Sequence, residues 1–258
     1  MKTPYWIVGV CVIVVGGFFV LNSYTYNEKQ GNTSMQDATV QVIPISHATA
    51  VLRWGDVVIY TDPTGDVEAF LGQPPPTIIL VTDIHGDHLS TSTLAVVIKE
   101  NTTLIVPQAV KDILPENLAT RARVLKNSEA TAEQELKIVA MPMYNLPESS
   151  GAFHTKGRGN GYVIAGKNFR IYVAGDTGGI PEMRALTNID IAFIPMNLPY
   201  TMGVEEAADA VLEFKPKQVY PYHYRGPDGL ADVEKFKSLV NASDPNIEVV
   251  LVNWYPQQ

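Results

Sequence analysis

The chain has almost no cysteine and few charged residues. Cys11 is the only cysteine among 258 residues, and charged residues make up 18% of the sequence. One thiol excludes an intrachain disulfide framework, and it also excludes a zinc site built from several thiolates. Any bound metal must therefore take nitrogen and oxygen ligands. The chain has five histidines that could supply them: His47, His85, His88, His154 and His223.

The composition also excludes a disordered or low-complexity chain. Hydrophobic residues make up 46% of the sequence, and the 19 glycines and 18 prolines follow no repeat period. Acidic residues outnumber basic ones, which gives a formal net charge of -8. An acidic surface repels phosphate backbones, so we predict that nucleic acid is not a partner. The length suits one large domain or two small ones.

One apolar run stands near the start of the chain. Residues 5–21 (YWIVGVCVIVVGGFFVL) contain no charged side chain. A helix of this length would measure roughly 25 Å, the lower limit for crossing the core of a bilayer. Because no small-x-small cleavage site follows, we predict an uncleaved transmembrane helix within residues 1–22, a linker over 23–39 and one extracytoplasmic domain over 40–258. A cleaved signal peptide, which would leave the domain secreted or periplasmic, is the alternative.

The rest of the chain alternates between strand-like and helix-like segments. Residues 90–100, 204–214 and 230–240 have helical spacing, and Ser90 or Thr91 suits the N-terminal cap of the first. Sheets covered by helices fit this alternation. The predicted strands are residues 40–44, 49–54, 56–60, 77–81, 103–106, 139–141, 162–165, 169–174, 189–194, 218–220 and 247–252.

A cluster of metal-ligating side chains follows the predicted strand 77–81. The motif D-x-H-x-D-H places four of them within six residues: Asp83, His85, Asp87 and His88. In an extended segment the first three point to one side, and a turn at Gly86 would bring the fourth round to them. Two neighbouring cations would satisfy this group better than one. The alternative is a helix cap, in which Asp87 or Ser90 caps residues 90–100 and the histidines are solvated.

Three further residues flank predicted strands in the same way. His154 lies in a glycine-rich loop before strand 162–165, Asp176 follows strand 169–174 in a G-D-T turn, and His223 follows strand 218–220. Sites in layered folds gather at such strand ends. Each residue alone is a weak indication, but together with the D-x-H-x-D-H motif they predict one metal site.

This order of motifs resembles the metallo-β-lactamase fold superfamily of metal-dependent hydrolases, and the resemblance covers roughly Val40–Val252. The segments His47–Thr49 and Ile59–Pro63 are similar to its branch of ascorbate-6-phosphate lactonase-like and N-acyl-phosphatidylethanolamine phospholipase D-like proteins. The resemblance implies an α+β fold, a four-layer αβ/βα sandwich whose site lies along the edge between two β-sheets.

The resemblance also implies a ligand for each metal position. The first metal would take two residues, the second three, and one residue would bridge them: His85 and His154; Asp87, His88 and His223; and Asp176. The family motif usually begins with histidine, and here Asp83 stands in that place. As an oxygen ligand, Asp83 would favour Mn²⁺ or Fe²⁺ over Zn²⁺, or it would leave the first site weak. We therefore expect one or two Zn²⁺ ions, with Mn²⁺ or Fe²⁺ as alternatives.

Such a site would activate water to cleave a phosphoester, a lactone or an amide of a small-molecule or lipid-like substrate. Asp87, Asp83 or His47 would orient the water or move its proton, although His47 equally suits a hydrogen-bonded strand histidine. A catalytically silent metal-binding module is the alternative function. Three basic residues would bind an anionic part of the substrate, unless they are ordinary solvated charges: Lys156, Arg158 and Arg225.

Overall fold

The computed structural model describes residues 14–15, 18–19 and 39–255. Contacts divide the chain into two units, Met1–Thr33 and Ser34–Gln258. In the first unit, β1 (Val14–Val15) and β2 (Phe18–Phe19) form an antiparallel pair. The remainder of the predicted anchor, and the predicted linker up to residue 38, lie outside the described residues.

The predicted transmembrane helix is therefore corrected. Within residues 5–21 the structure describes two short strands, and none of its described helices is long and apolar enough to span a bilayer. This finding overturns the predicted membrane-anchored, extracytoplasmic location. The physical reason lies in the residue types. Valine and phenylalanine favour strands, and the residues that pair here are two valines and two phenylalanines.

Two mixed sheets form the second unit. The first sheet has the order β3-β4-β5-β6-β7-β8, antiparallel from β3 to β5 and parallel from there on. Its strands are Val40–Ser46, Thr49–Trp54, Val57–Thr61, Ile78–Leu80, Thr103–Val106 and Ala122–Val124. Trp54 pairs with Val57 across the hairpin that joins β4 to β5.

The second sheet repeats this plan. Its first four strands, β9 to β12, pair antiparallel, and its remaining strands β13, β14 and β17 continue the sheet in parallel. In chain order its strands are Ala130–Glu133, Leu136–Met143, Gly159–Ala165, Arg170–Val173, Ile191–Pro195, Gln218–Tyr222 and Glu248–Val249. A separate short hairpin is formed by β15 (Arg225–Gly226) and β16 (Gly229–Leu230).

Six α-helices and one 3-10 helix (Val67–Phe70) accompany the sheets in the described part of the chain. The Ser90 hydroxyl accepts a hydrogen bond from the Thr93 N–H at 3.2 Å, which confirms the predicted cap of the first helix. The α-helices, α1 to α6, are Thr91–Val97, Gln108–Ile113, Glu116–Ala119, Pro181–Arg184, Val204–Phe214 and Val233–Ser243.

The core shows how the layers stack. On β6, Ile78 and Leu80 pack in a cluster with residues of the second sheet, whereas Ile79 packs with apolar residues of α1, α2 and α3. Neighbouring strand residues point to opposite faces, so the first sheet is covered by the second sheet on one face and by helices on the other. On the second sheet, Tyr172 of β12 meets Phe214 of α5 edge to face. This mixed α/β architecture fits the metallo-β-lactamase-like fold that was expected.

Candidate metal centre

Four loops bring the predicted ligands together. Three of them follow the carboxyl ends of β6, β12 and β14, and the fourth connects β10 with β11. After β6 the chain turns back as predicted, because the N–H groups of His88 and Leu89 both donate to the His85 carbonyl, at 3.0 and 2.8 Å. Ser90 alone caps α1, so Asp87 is free of that role and faces the site, with its Oδ2 3.3 Å from His223 Nε2.

The ligand atoms form two groups. Within each group all of them lie within 4.8 Å of one another. Asp176 Oδ2 stands between the groups, 3.2 Å from His88 Nε2 and 3.1 Å from His154 Nε2. We call them the first group (Asp83, His85 and His154) and the second group (Asp87, His88, Asp176 and His223).

The polar atoms of this cluster fit divalent cations. His88 Nε2 lies 3.0 Å from His223 Nε2, and His154 Nε2 lies 3.2 Å from His85 Nδ1. Asp176 Oδ1 is buried and accepts no hydrogen bond from the described residues, although His223 Nε2 is 3.3 Å away. Imidazole nitrogens and carboxylate oxygens that converge in this way form a donor set that suits zinc, iron and manganese.

Known proteins share both the sequence and the fold. A model of the beta-lactamase superfamily domain matches residues 41–223. A UPF0173 metal-dependent hydrolase of Thermococcus onnurineus is 34% identical over 168 residues, which cover 63% of this chain and 74% of the relative. The chain belongs to the metallo-β-lactamase superfamily. As the relatives are named metal-dependent hydrolases, this member is an enzyme of that class, as predicted, and the silent module is not supported.

Solved structures agree with this assignment. A protein of Parabacteroides distasonis assigned as a metal-dependent hydrolase superimposes with a TM-score of 0.74 at 30% identity, over 96% of this chain and 98% of that one. The metallo hydrolase Igni18 of Ignicoccus hospitalis reaches a TM-score of 0.69 at 21% identity, over 83% of this chain and 95% of that one, and so shares the fold.

A buried carboxylate orients one histidine of this hydrolase. Asp62 is inaccessible to solvent, and it accepts hydrogen bonds from the Thr82 N–H at 2.7 Å and from the Thr82 hydroxyl at 2.6 Å. Its Oδ2 also lies 2.8 Å from His88 Nδ1. The His88 ring therefore directs its Nε2 toward the other residues of the second group. Sequence reasoning gave Asp62 no role in the site. Its position directly after the strand at Val57–Thr61 was the available signal.

Burial and charge shift the pKa values of the second group. Burial lowers the pKa of His88, but the Asp176 and Asp62 carboxylates outweigh it, and the pKa lies well above its usual value. Burial raises the pKa of Asp176, but His223 and His88 outweigh it, and the pKa lies well below its usual value. Burial also raises the pKa of Asp87, but hydrogen bonds with His223 and His47 outweigh it, and the pKa lies below its usual value. Without a metal, His88 therefore keeps a proton, and a bound cation would replace that proton.

His47 also reaches the centre. Its ring stands 3.8 Å from the His223 ring, and its Nε2 lies 3.3 Å from Asp87 Oδ2. Its Nδ1 lies 2.8 Å from the Tyr255 hydroxyl, a contact that sequence reasoning missed because Tyr255 is far along the chain. Burial lowers the pKa of His47, so the ring is neutral near pH 7.

The three basic residues predicted to bind substrate lie in different surroundings. Arg158 forks onto Asp83, with Nη2–Oδ2 at 2.7 Å and Nε–Oδ1 at 3.1 Å. Lys156 Nζ lies 3.0 Å from Glu182 Oε1 and 3.2 Å from the Tyr144 hydroxyl. Arg225 lines the cavity that also contains His47 and Asp87. Substrate binding by these residues stays a prediction.

An open cleft leads away from the metal residues. A cavity of about 340 Å³ is lined by His85, His154 and Asp176, and it shares Asp87, Asn197 and Tyr200 with a neighbouring cavity of about 440 Å³. The second cavity adds His47 and Arg225, and a third of about 720 Å³ continues past Arg225 toward β3. The three cavities therefore run from the two groups past Arg225 toward β3.

Proposed function

We propose that this hydrolase cleaves a phosphoester, lactone or amide of an anionic small-molecule or lipid-like substrate with the help of one or two divalent cations, Zn²⁺ in the first instance. The observation that carries the proposal is the convergence of seven nitrogen and oxygen ligands in two groups that share Asp176. A cation bound there would lower the pKa of a coordinated water and polarise the bond to be cleaved.

The ligands would divide between the two groups. The second group would hold one cation through Asp87, His88, Asp176 and His223. The first group would hold the other through two histidines and the shared Asp176, with Asp83 beside them. Mn²⁺ and Fe²⁺ remain alternatives because carboxylates make up nearly half of the ligands.

Asp87 is the group that we propose to orient the attacking water. Its side chain is 43% exposed, whereas those of His88 and Asp176 are buried. Its lowered pKa keeps it ionised, so it can accept a hydrogen bond but not donate one. The neutral His47 would then donate from Nε2 to Asp87 and accept the Tyr255 hydroxyl hydrogen at Nδ1. His47 would thus hold Asp87 in place for the reaction.

Arg225 is the group that we propose to bind the anionic part of the substrate. It lines both outer cavities of the cleft, and its guanidinium lies 4.0 Å over the Tyr255 ring. A planar guanidinium binds carboxylates and phosphates through paired hydrogen bonds. Replacing Arg225 with methionine should therefore raise KM about tenfold for anionic substrates and leave it unchanged for neutral ones, a loss of roughly one charged hydrogen bond.

The proposal is tested by counting metals and screening substrates. The full chain, loaded with Zn²⁺ or Mn²⁺, is given phosphodiester, lactone and β-lactam substrates, beside two isosteric variants, Asp176→Asn and Asp112→Asn. Asp112 is an exposed residue of α2 and serves as the matched control. We expect turnover of at least one substrate class by the wild type and the control, and its loss with Asp176→Asn. Equal activity of both variants, or no turnover with any metal, would refute the proposal.

A further inference from the structure

Asp83 stands at the start of the metal motif, and both of its carboxylate oxygens are engaged by one side chain. It is inaccessible to solvent, and the Arg158 fork meets Oδ1 through Nε and Oδ2 through Nη2. We propose that Arg158 keeps Asp83 from serving as a full metal ligand and makes the two groups bind cations with unequal affinity, tightly at the second group and weakly at the first. This inference rests on the proposed metal-dependent function and deepens it.

The charges near each group support this inequality. The second group contains two carboxylates, Asp87 and Asp176, whose oxygens lie 3.2–3.3 Å from the Nε2 atoms of His88 and His223. In the first group the charge of Arg158 cancels that of Asp83. A cation there is left with only a share of Asp176 as negative charge, and it must approach a guanidinium. Coulomb repulsion between two positive charges that lie a few ångströms apart is appreciable in a partly buried site.

Arg158 also controls the ring of His85. Its Nη2 lies 3.4 Å from His85 Nε2, and Asp83 Oδ2 lies 3.0 Å from His85 Nδ1. Guanidinium only donates and a carboxylate only accepts, so these neighbours assign the ring hydrogen to Nδ1 and the lone pair to Nε2. Nδ1 is the atom that faces His154. A cation of the first group would therefore meet a protonated nitrogen, and moving that hydrogen to Nε2 would set two donors against each other.

The test is a metal titration that does not depend on activity. Chelator-stripped full-length chain is titrated with Zn²⁺ against a chromophoric chelator, and the bound metal is counted by mass spectrometry. Arg158→Met removes the charge, and Arg53→Met is the matched control, because Arg53 is an exposed residue of β4 that donates to Gln41. For the wild type and the control we expect the first equivalent to bind at least tenfold more tightly than the second.

Arg158→Met should tighten binding of the second equivalent of Zn²⁺, which goes to the first group, at least tenfold. It should leave the affinity for the first equivalent unchanged. The reason is that the substitution releases Asp83 and frees Nδ1 of His85. If a buried, uncompensated Asp83 prevents this variant from folding, Arg158→Lys keeps the charge and loses the fork, and it should strengthen the second equivalent several-fold. The inference would be overturned if the wild type bound both equivalents with equal affinity. It would also be overturned if either variant of Arg158 left the affinity for the second equivalent unchanged or lowered it. In both cases the proposed function stands. A wild type that binds no metal would overturn both.

Discussion

The two metal groups share Asp176 but are held in place by different means. In the second group, His88 is turned toward the centre by Asp62, a buried carboxylate that two Thr82 donors, the N–H and the hydroxyl, hold in place. In the first group, His154 Nδ1 lies 3.1 Å from the Tyr200 carbonyl and 3.2 Å from Asn145 Oδ1, so it is oriented by neutral acceptors. A charged partner makes a ligating imidazole more basic than a neutral partner does. The difference indicates that the second group is the stronger site.

The largest effect should come from removing one histidine of each group. We expect His88→Gln to lower kcat/KM by about 10³-fold, and His154→Gln to lower it less, because loss of a ligand exceeds the 10–100-fold cost of losing a supporting partner. Glutamine keeps much of the volume in both cases. Steady-state kinetics at saturating Zn²⁺, with metal counted in parallel, measure the two losses. If His154→Gln proves the more damaging, the ranking of the groups is reversed.

A smaller difference should separate the partners of those histidines. Asp62→Asn keeps the shape of the side chain but removes its charge, so Zn²⁺ affinity should fall about 10–100-fold. Asn145→Ala should cost only a few-fold, because the backbone carbonyl of Tyr200 still holds His154. Competition with a chelator gives both numbers. Equal losses would show that the buried carboxylate gives the second group no advantage.

Much of this arrangement was predictable from the sequence. Strand Thr49–Trp54 and helix Val204–Phe214 have the predicted bounds, since period-2 and period-3.6 patterns are local properties of the chain. The turn at Gly86 and the ends of β12 and β14 were found for the same reason. The local pattern therefore placed each residue of the two groups on a loop beside a strand end, as the structure has it.

The partners of those ligands could not be predicted in the same way. Lys156 and Arg158 are two residues apart on one loop, yet one meets Glu182 and the other Asp83. Composition reveals that a loop is basic, but only tertiary packing decides where each side chain points. Asp62 and Tyr255 contact histidines that are distant in sequence. The helix predicted from the apolar run at residues 5–21 was wrong, because short apolar segments suit strands as well as helices.

The second group should also respond to pH in a characteristic way. In the metal-free protein, the raised pKa of His88 adds stability that is full below its ordinary value of 6.5 and is lost as pH rises through the folded value. The lowered pKa of Asp176 adds stability that is present above 3.8 and is lost as pH falls. A bound cation needs the histidine deprotonated, so its stabilising effect should grow with pH.

We therefore expect the gap in Tm between zinc-loaded and metal-free protein to widen from pH 5 to pH 9. Thermal unfolding at several pH values, with and without Zn²⁺, measures this gap. His88→Gln should flatten the dependence, whereas His154→Gln should leave most of it. Parallel curves for the loaded and metal-free wild type would contradict the proton exchange at the second group.

The smallest effect should come from Tyr255→Phe, which tests the outermost support of the second group. The variant keeps the ring beneath Arg225 and the edge contact with His47, 5.7 Å between centroids, but loses the hydroxyl that meets His47 Nδ1. His47 can then rotate away from Asp87, so kcat should fall a few-fold, in line with one neutral hydrogen bond of about 1 kcal/mol. Zn²⁺ affinity should fall less than kcat, because the His47 ring is hydrogen-bonded to Asp87 and to none of the other three residues of the second group in the described structure. A loss of affinity without a loss of kcat would show that Tyr255 supports cation binding and not the orientation of water by Asp87.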